Sequence, residues 1–340
     1  MNNRIHDDLK DGIDLEALRR SGKIFKENAG ATILDIGDRV GLVEFHTKAN
    51  SINDDVCAML LAACEEGPSV FDALVIGNRG KHFCAGANLP FILSAARAGN
   101  WVGIQNTLRS FQTVALALKY GRIPVVAAPF SSVLGGGCEV CLHSTRVVAS
   151  GITHLGLVET SVGLIPAGGG TKELSLRSHG RAAGGDPLPF LQKAFEMIAW
   201  AKVSRTGTEA RDLYLAKDDT VVLSQGGAIE MAKEVALELA HSGYTKGSPR
   251  TDLPVLGRPG IEVFQHRIDQ MLAATTISGH DALIAKHVAT VLCGGDRIPG
   301  AASEQDFLDL EREAFLSLLG TTKTQERIEF LLLNNRPLRN

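Results

Sequence analysis

In the first part of the chain, the spacing of apolar residues switches repeatedly between the period of a strand and that of a helix. This pattern predicts short strands interleaved with helices. Residues 32–47 hold two β-prone runs around a Gly-Asp pair, which predicts a hairpin. Residues 53–67 combine an Asn-Asp start, a helical apolar period and a final glycine, which predicts a capped helix. Further strands are predicted at 72–78, 124–130 and 145–150. Strands that alternate with helices indicate an α/β fold.

Helical periods dominate the second half of the chain. In the first half, residues 91–119 also have a helical period, which is interrupted near Gly99 and Asn100. Later helices are predicted within 189–204, 226–243, 261–276, 281–295 and 304–320. Residues 178–187 and 244–260 lack such a period and are predicted to be loops.

These patterns divide the chain into three regions. Residues 1–30 are charged and lack a sustained apolar period, so an N-terminal extension with at most one short helix is predicted. Residues 31–215 are predicted to form the α/β core, and residues 216–340 a helical C-terminal region. No repeat of fixed period and no low-complexity tract interrupts this plan.

Composition narrows the class of protein. The 340 residues include 35 Lys and Arg and 38 Asp and Glu, and this near-balance offers no basic face for nucleic acid. The polar, acidic N-terminus does not resemble a signal peptide, and no apolar run is long enough to span a bilayer. Six cysteines are scattered at positions 57, 64, 84, 138, 141 and 293, which favours reduced thiols over a disulfide framework. We therefore expect a soluble, cytoplasmic protein.

Residues 131–146, SSVLGGGCEVCLHSTR, place a glutamate inside a Cys-x-x-Cys and after three glycines. Cys138 and Cys141 could bind zinc, but a structural zinc site usually needs four ligands and no second pair is present. Glu139 between them disfavours the thiolate that redox chemistry requires. We interpret both cysteines as packing residues on a short helix and predict no metal. No segment satisfies the phosphate-loop or dinucleotide-binding motif.

Two glycine-containing strand exits and two glutamates suggest acid/base chemistry instead. The glycines at 135–137, and FCAGANL at 83–89, would leave backbone N–H groups free to stabilise negative charge on a carbonyl oxygen. Glu139 and Glu159 each lie in an apolar context beside a glycine-rich turn, where an isolated charge is costly. Either carboxylate alone could be a structural cap; together they suggest a general acid/base pair.

Three segments carry a family resemblance: KHFCAGANL, PVVAAPFSSVLGGGCEV and GLVETSVGLIPAGGGTKEL. In this order, with twenty residues from Glu139 to Glu159, they resemble the crotonase (enoyl-CoA hydratase/isomerase) superfamily. The resemblance covers residues 32–240 and resumes at 308–332. From about residue 22 onward, the chain is similar to the C-terminal hydratase half of bacterial bifunctional 3-hydroxyacyl-CoA dehydrogenase/enoyl-CoA hydratases. The dehydrogenase half is not in this sequence, in keeping with the missing dinucleotide motif.

The resemblance implies a crotonase-type ββα spiral core with a helical C-terminal region. It also implies hydration of trans-2-enoyl-CoA thioesters to 3-hydroxyacyl-CoA in fatty-acid β-oxidation. The N–H groups of Ala87 and Gly136 would form an oxyanion hole. Glu139 would act as base toward a water molecule, and Glu159 would deliver a proton to the α-carbon. The amide of Ala167 would orient that water or a glutamate.

Substrate binding and partners also follow from the resemblance. The implied coenzyme A and substrate residues are Lys48, Ala49, Ala85, Gly86, Asn88, Leu89 and Ala167. No cofactor is implied, because the coenzyme A thioester is itself the substrate. A homotrimer or hexamer is implied, with 3-hydroxyacyl-CoA dehydrogenase and thiolase as candidate partners. Two alternatives stay open: a Δ3-Δ2-enoyl-CoA isomerase, or a catalytically silent docking subunit for a 3-hydroxyacyl-CoA dehydrogenase.

Three departures from the family pattern stand near the site. Asn88 replaces the usual aspartate and can still cap the following helix. Ala167 stands where glycine is frequent and keeps its N–H. Pro129-Phe130-Ser131 replaces the common Val-Asn-Gly, which changes the expected turn geometry.

Overall fold

The computed structural model describes residues 12–224 and 226–340. Its strands are β1 (Ile24–Glu27), β2 (Ala31–Asp35), β3 (Val40–Phe45), β4 (Ala73–Ile76), β5 (Val125–Ala127), β6 (Ser131–Leu134), β7 (Arg146–Ser150), β8 (Thr153–Gly156), β9 (Thr220–Val222), β10 (Leu253–Val255) and β11 (Gly300–Ala302). Its helices are α1 (Leu15–Arg20), α2 (Asp54–Glu65), α3 (Leu89–Arg97), α4 (Trp101–Tyr120), α5 (Gly136–His143), α6 (Gly170–Ala182), α7 (Leu188–Ala199), α8 (Gly207–Leu213), α9 (Ala228–His241), α10 (Gly257–Ala273), α11 (Gly279–Leu292), α12 (Glu304–Leu319) and α13 (Thr322–Asn334).

A seven-stranded sheet forms the centre, in the order β1-β2-β3-β4-β5-β7-β9. Strands β1, β2 and β3 pair antiparallel, and from β3 onward every pairing is parallel. Parallel neighbours require crossover connections, and helices α2 to α8 lie in those connections. Strands β6 and β8 form a separate parallel pair, as β10 and β11 form an antiparallel one. The predicted α/β class with a helical C-terminal region is confirmed.

The sheet is covered on both faces, which explains why its central strand is a continuous apolar run. In β4, Leu74 and Ile76 belong to the main core, which includes residues of α2, α4 and α12. Ala73 and Val75, which alternate with them, belong to a second core formed with α9. The region after residue 215 therefore supplies both an edge strand, β9, and one covering helix of the sheet.

Most local predictions agree with the elements observed. The hairpin is β2–β3, and α2 begins after Asn53, whose side chain accepts the N–H of Val56. The predicted interruption near Gly99 separates α3 from α4. All six cysteines are buried free thiols. No helix in the described ranges is both long and apolar enough to cross a bilayer.

Four local predictions need correction. The predicted extension holds α1 as expected but also β1, which pairs with β2, while residues 1–11 lie outside the described residues. The predicted loop at 244–260 contains β10 and the start of α10. Helix α6 continues into the loop predicted at 178–187, and β8 was not predicted at all. Short strands such as β1 and β10 have too few residues for a period, so only pairing with a partner reveals them.

Candidate active site

Glu139 lies in the first turn of α5, two residues after the last of the three glycines. The helix starts there because Gly135 adopts φ +53°, a conformation that favours glycine. The side chain is 3 % exposed, and its Oε1 accepts the N–H groups of Gly168 and Gly170, both at 2.8 Å. A Cβ on Gly170 would lie 2.9 Å from that same oxygen, so the close approach requires glycine. These amides belong to the turn that begins α6.

Glu159 opens a short 3₁₀ helix, Glu159–Val162, that follows β8. Its Oε2 is buried and has no hydrogen-bond partner among the described residues. A Cβ on Gly135 would lie 3.0 Å from Glu159 Oε1, so the glycine that starts α5 also makes room for this carboxylate. The two glutamates therefore differ sharply in their hydrogen bonding.

Both carboxylates line one narrow cavity of about 70 Å³. Its apolar walls come from α2, α3, α4, α12 and the segment before α6, and consist of Cys57, Ile92, Leu108, Phe111, Ile165 and Phe315. A wider cavity of about 290 Å³ adjoins it and carries Asn88 and Phe91 at its rim. The two cavities share Ile52, Asn53, Ala87, Ile92 and Thr107. They form one pocket with a polar inner end.

Two backbone N–H groups at this pocket have no acceptor within residues 12–224 and 226–340. Ile52 is hydrogen-bonded to both neighbours of Ala87: its N–H donates to Gly86 O, and its carbonyl accepts the N–H of Asn88. The N–H of Ala87 is left over between these bonds. Gly136 is the first residue of α5, where an N–H has no intrahelical acceptor. Both residues line the inner cavity with the two glutamates.

Burial raises the pKa of both carboxyl groups, but to different extents. It raises the pKa of Glu139 to about 7, although the amides of Gly170 and Gly168 and the charge of Lys172 act in the opposite direction. Burial and the nearby charge of Glu139 raise the pKa of Glu159 well above its usual range. Two carboxyl groups whose environments push their pKa values apart are suited to act as a general base and a general acid.

Comparison with known proteins agrees with this geometry. Residues 43–183 match a family model described as enoyl-CoA hydratase/isomerase. The chain therefore contains a domain of the crotonase superfamily. Two curated relatives are similar over almost the whole chain. A Bacillus subtilis (strain 168) protein named probable 3-hydroxyacyl-CoA dehydrogenase is 40% identical, with 97% of this chain and 42% of that protein covered. A Rickettsia prowazekii (strain Madrid E) protein named putative fatty acid oxidation complex trifunctional enzyme is 34% identical, with 92% and 40% covered.

The chain spans about two fifths of the length of these curated relatives. Among solved structures, an enoyl-CoA hydratase from Rhodobacter sphaeroides 2.4.1 superposes with a TM-score of 0.62. The alignment covers 92% of each chain at 18% identity. At this identity the likeness shows the fold alone, and the predicted crotonase-type fold is confirmed.

Of the loop 85–89, which contains residues implied to bind coenzyme A, Ala87 and Asn88 line the outer cavity. Lys48 and Ala49 are exposed, and Ala49 O accepts the N–H of Ala85 at 3.1 Å. Gly86 adopts φ +102°, and a Cβ there would lie 3.2 Å from Leu134 O. Asn88 caps α3, as predicted, by accepting the N–H of Phe91. Its half-buried neighbour is Leu89, the first residue of that helix.

Ala167 lines the inner cavity but does not orient a glutamate. The amides that hold Glu139 are those of Gly168 and Gly170, one and three residues further along. The carbonyl of Ala167 instead accepts the side-chain amide of Gln112 at 2.9 Å. The prediction chose the correct turn, but a short glycine run does not reveal which N–H points at the glutamate. The alternative role, in which the Ala167 amide orients the water, stays a prediction.

Ser131 shows the structural effect of the departure from the family pattern at residues 129–131. It adopts φ +51°, a conformation that glycine reaches without strain, and its N–H donates to Ile152 O at 2.7 Å. The backbone thus keeps a glycine-like conformation with a serine in place. The strand β6 that follows leads directly to Gly135.

The two cysteines flanking Glu139 are packing residues, as predicted. Cys138 and Cys141 are buried in the main core, and burial raises the pKa of each thiol well above its usual range. Within the described ranges, no group of three or more His, Cys, Asp or Glu side chains is placed to hold a metal ion.

Several polar residues that support the site were not predicted from the sequence. Buried Asn50 and Asn78 brace the 80–88 loop by donating to His82 O and Phe83 O. A buried ionic cluster lies behind the turn that holds Glu139, and consists of Lys119, Lys172, Glu173 and Glu304. Charged residues in a helical pattern usually indicate a solvated face, so only their burial distinguishes these.

Proposed function

We propose that this crotonase hydrates trans-2-enoyl-CoA thioesters to 3-hydroxyacyl-CoA thioesters in fatty-acid β-oxidation. One observation carries the proposal: two buried carboxyl groups with unequal hydrogen bonding share a cavity with two unpaired backbone N–H groups. Hydration of an activated double bond needs a base for water, an acid for the α-carbon and a donor pair for the thioester oxygen. The family and the names of the relatives support the same assignment.

The N–H groups of Ala87 and Gly136 would donate hydrogen bonds to the thioester carbonyl oxygen. Their dipoles stabilise the enolate charge that develops there as the β-carbon is attacked. Glu139, ionised and held by two amides, would remove a proton from water while the water oxygen bonds to the β-carbon. Glu159, protonated, would donate its proton to the α-carbon. The substrate gains one water molecule, and transfer of the proton from Glu139 to Glu159 restores both groups.

Coenzyme A would bind at the outer cavity. Ala87 and Asn88 of the 85–89 loop line this cavity, and the hydrogen bond from the N–H of Ala85 to Ala49 O brings the exposed residues Lys48 and Ala49 next to that loop. The 3-hydroxyacyl product requires an oxidising enzyme next, so we propose a 3-hydroxyacyl-CoA dehydrogenase and a thiolase as partners. The trimeric or hexameric assembly stays a prediction, which sedimentation of the purified chain would test.

The decisive experiment is a hydration assay with the purified chain. Trans-2-enoyl-CoA thioesters of increasing chain length are added, and the loss of enoyl-thioester absorbance is followed with identification of the product. Formation of 3-hydroxyacyl-CoA supports the proposal. Conversion of a trans-3-enoyl-CoA without hydration would assign the isomerase instead. Absence of turnover with every thioester would favour a silent docking subunit.

The pH dependence of kcat/KM tests the role of Glu139. Because its pKa is raised to about 7, we expect kcat/KM to fall about tenfold per pH unit below that value, as the base becomes protonated. Glu159, Lys172 and Glu311 are the titratable groups that face it. A steady-state profile checks this. A falling limb near the ordinary glutamate pKa of about 4.3 would contradict the assignment.

Ala87→Pro removes one donor of the proposed oxyanion hole. No hydrogen bond among the described residues depends on that N–H, so the substitution breaks none of them, although the ring also fixes φ at residue 87 and places its Cδ where the hydrogen was. We expect kcat/KM for hydration to fall about a hundred- to thousandfold. Ala87→Gly, which keeps the N–H, is the matched control and should stay within about threefold of the parent, since backbone entropy is its only cost. Equal losses in both variants would refute the donor role.

A further inference from the structure

One buried carboxylate near the site has no part in the proposed chemistry. Glu311 on α12 is fully buried, with 0 % of its surface exposed. Its Oε2 accepts the N–H of Gly169 and its Oε1 accepts the N–H of Lys172, both at 2.7 Å. These two donors belong to the same turn that holds Glu139.

The turn at the start of α6 thus divides its N–H groups between two carboxylates. Gly168 and Gly170 donate to Glu139, whereas Gly169 and Lys172 donate to Glu311. Free N–H groups at a helix N-terminus would otherwise be orphaned in this buried place. Because Glu311 on α12 accepts two of these N–H groups, the direction in which the other two point is fixed.

Helix α12 is itself held firmly against this turn. Gln112 of α4 donates to Ala167 O at 2.9 Å and to Leu308 O at 2.8 Å, which ties the residue before the turn to α12. Arg312 donates to the side-chain oxygen of Gln112 at 2.7 Å. At the start of the same helix, Glu304 accepts a hydrogen bond from Lys172 Nζ at 2.7 Å. Glu311 therefore contacts the turn from a braced support.

We propose that Glu311 is a positioning residue: by holding the amides of Gly169 and Lys172, it aims those of Gly168 and Gly170 at Glu139. The consequence for the rate rests on the proposed function, in which Glu139 is the base. The expected effect on the hydrogen bonds of the turn does not depend on the proposed function.

Hydrogen exchange of the amides at 168–172 tests the effect on the turn, using Glu311→Gln. Glutamine has the same shape but presents an NH₂ group to one of the two donors, so one amide loses its acceptor. We expect exchange at the turn to accelerate about tenfold or more, as expected when a buried donor is left unpaired. Glu313→Gln, exposed on the same helix, should leave exchange unchanged. Unchanged exchange in Glu311→Gln would overturn the proposal whether or not the chain hydrates enoyl-CoA.

Kinetics test the effect on the reaction. A slightly misplaced base should lower kcat by up to about a hundredfold in Glu311→Gln. The KM, and the Kd for saturated butyryl-CoA, should stay within about twofold because the thioester donors are not on this turn. Equal losses of kcat and affinity, or an unchanged kcat, would overturn positioning. If the glutamine variant does not fold, Glu311→Asp keeps the charge but reaches one amide poorly, and a full parental kcat there would overturn it too.

Discussion

Glu159→Gln is expected to lower kcat for enoyl-CoA hydration by about a hundred- to ten-thousandfold, the range for loss of a positioned general acid. Glutamine has the same volume, so the cavity keeps its shape. It carries no acidic proton, however, and cannot deliver one to the α-carbon. Because Glu159 Oε2 makes no hydrogen bond among the described residues, the substitution breaks no other contact of that oxygen.

Steady-state kinetics and a thioester-binding titration measure this effect separately. The Kd for butyryl-CoA should change little, since the N–H groups of Ala87 and Gly136 are untouched. Combining Glu159→Gln with Glu139→Gln should cost little more than either alone, because groups that act as a unit are not additive. Glu27→Gln, exposed on β1, is the control. Near-normal hydration by Glu159→Gln would refute the mechanism with two carboxylates.

Lys172→Met is expected to reduce the free energy of unfolding by about 3–5 kcal/mol, the usual cost of breaking a buried ion pair from one side. The side chain is fully buried, and Nζ donates to Glu173 Oε1 at 2.8 Å and to Glu304 Oε2 at 2.7 Å. Despite burial, Lys172 and Lys119 hold the pKa of Glu304 below its usual range. Without Lys172, the two buried carboxylates would depend on the partly exposed Lys119, with Arg177 at 4.0 Å from Glu173 as a more distant partner.

Urea unfolding followed by circular dichroism measures this loss. Lys193→Met, exposed on α7, should stay within about 0.5 kcal/mol of the parent. Adding Glu173→Gln and Glu304→Gln to Lys172→Met should restore part of the stability, because no unpaired charge then stays buried. A loss below about 1 kcal/mol for Lys172→Met would mean that Lys119 alone neutralises the pair.

The local features of this crotonase follow from short stretches of sequence. The β2–β3 hairpin, the Asn53 cap and the break at Gly99 depend on neighbouring residues, and each is where the pattern predicts it. The same holds for the glycines at 135–137, since their position between a strand and a helix fixes where free amides occur. Strands β1 and β10 were missed because three or four residues carry no period, and only their pairing defines them.

Sequence alone also placed Glu139 and Glu159 among the candidate residues, and the structure brings both to one cavity. It did not determine how their environments differ. The amides that hold Glu139 lie 29 and 31 residues further along, and no amide is supplied to Glu159 Oε2. A sequence pattern records which groups are present nearby, whereas hydrogen bonding depends on which distant groups are brought within 3 Å.

The support behind the site was decided by tertiary structure alone. Glu311 reaches Gly169 across 142 residues, and Lys172 pairs with Glu304 across 132. In the sequence, these are ordinary charged positions of amphipathic helices, which usually face water. Only the packing of α12 against α6 and α4 removes them from solvent, and once buried each charge must find a partner. The sequence by itself determined the candidate acid/base groups and the local turns that present them; the fold decided how those groups are held and which of the two carboxyls has the pKa raised further.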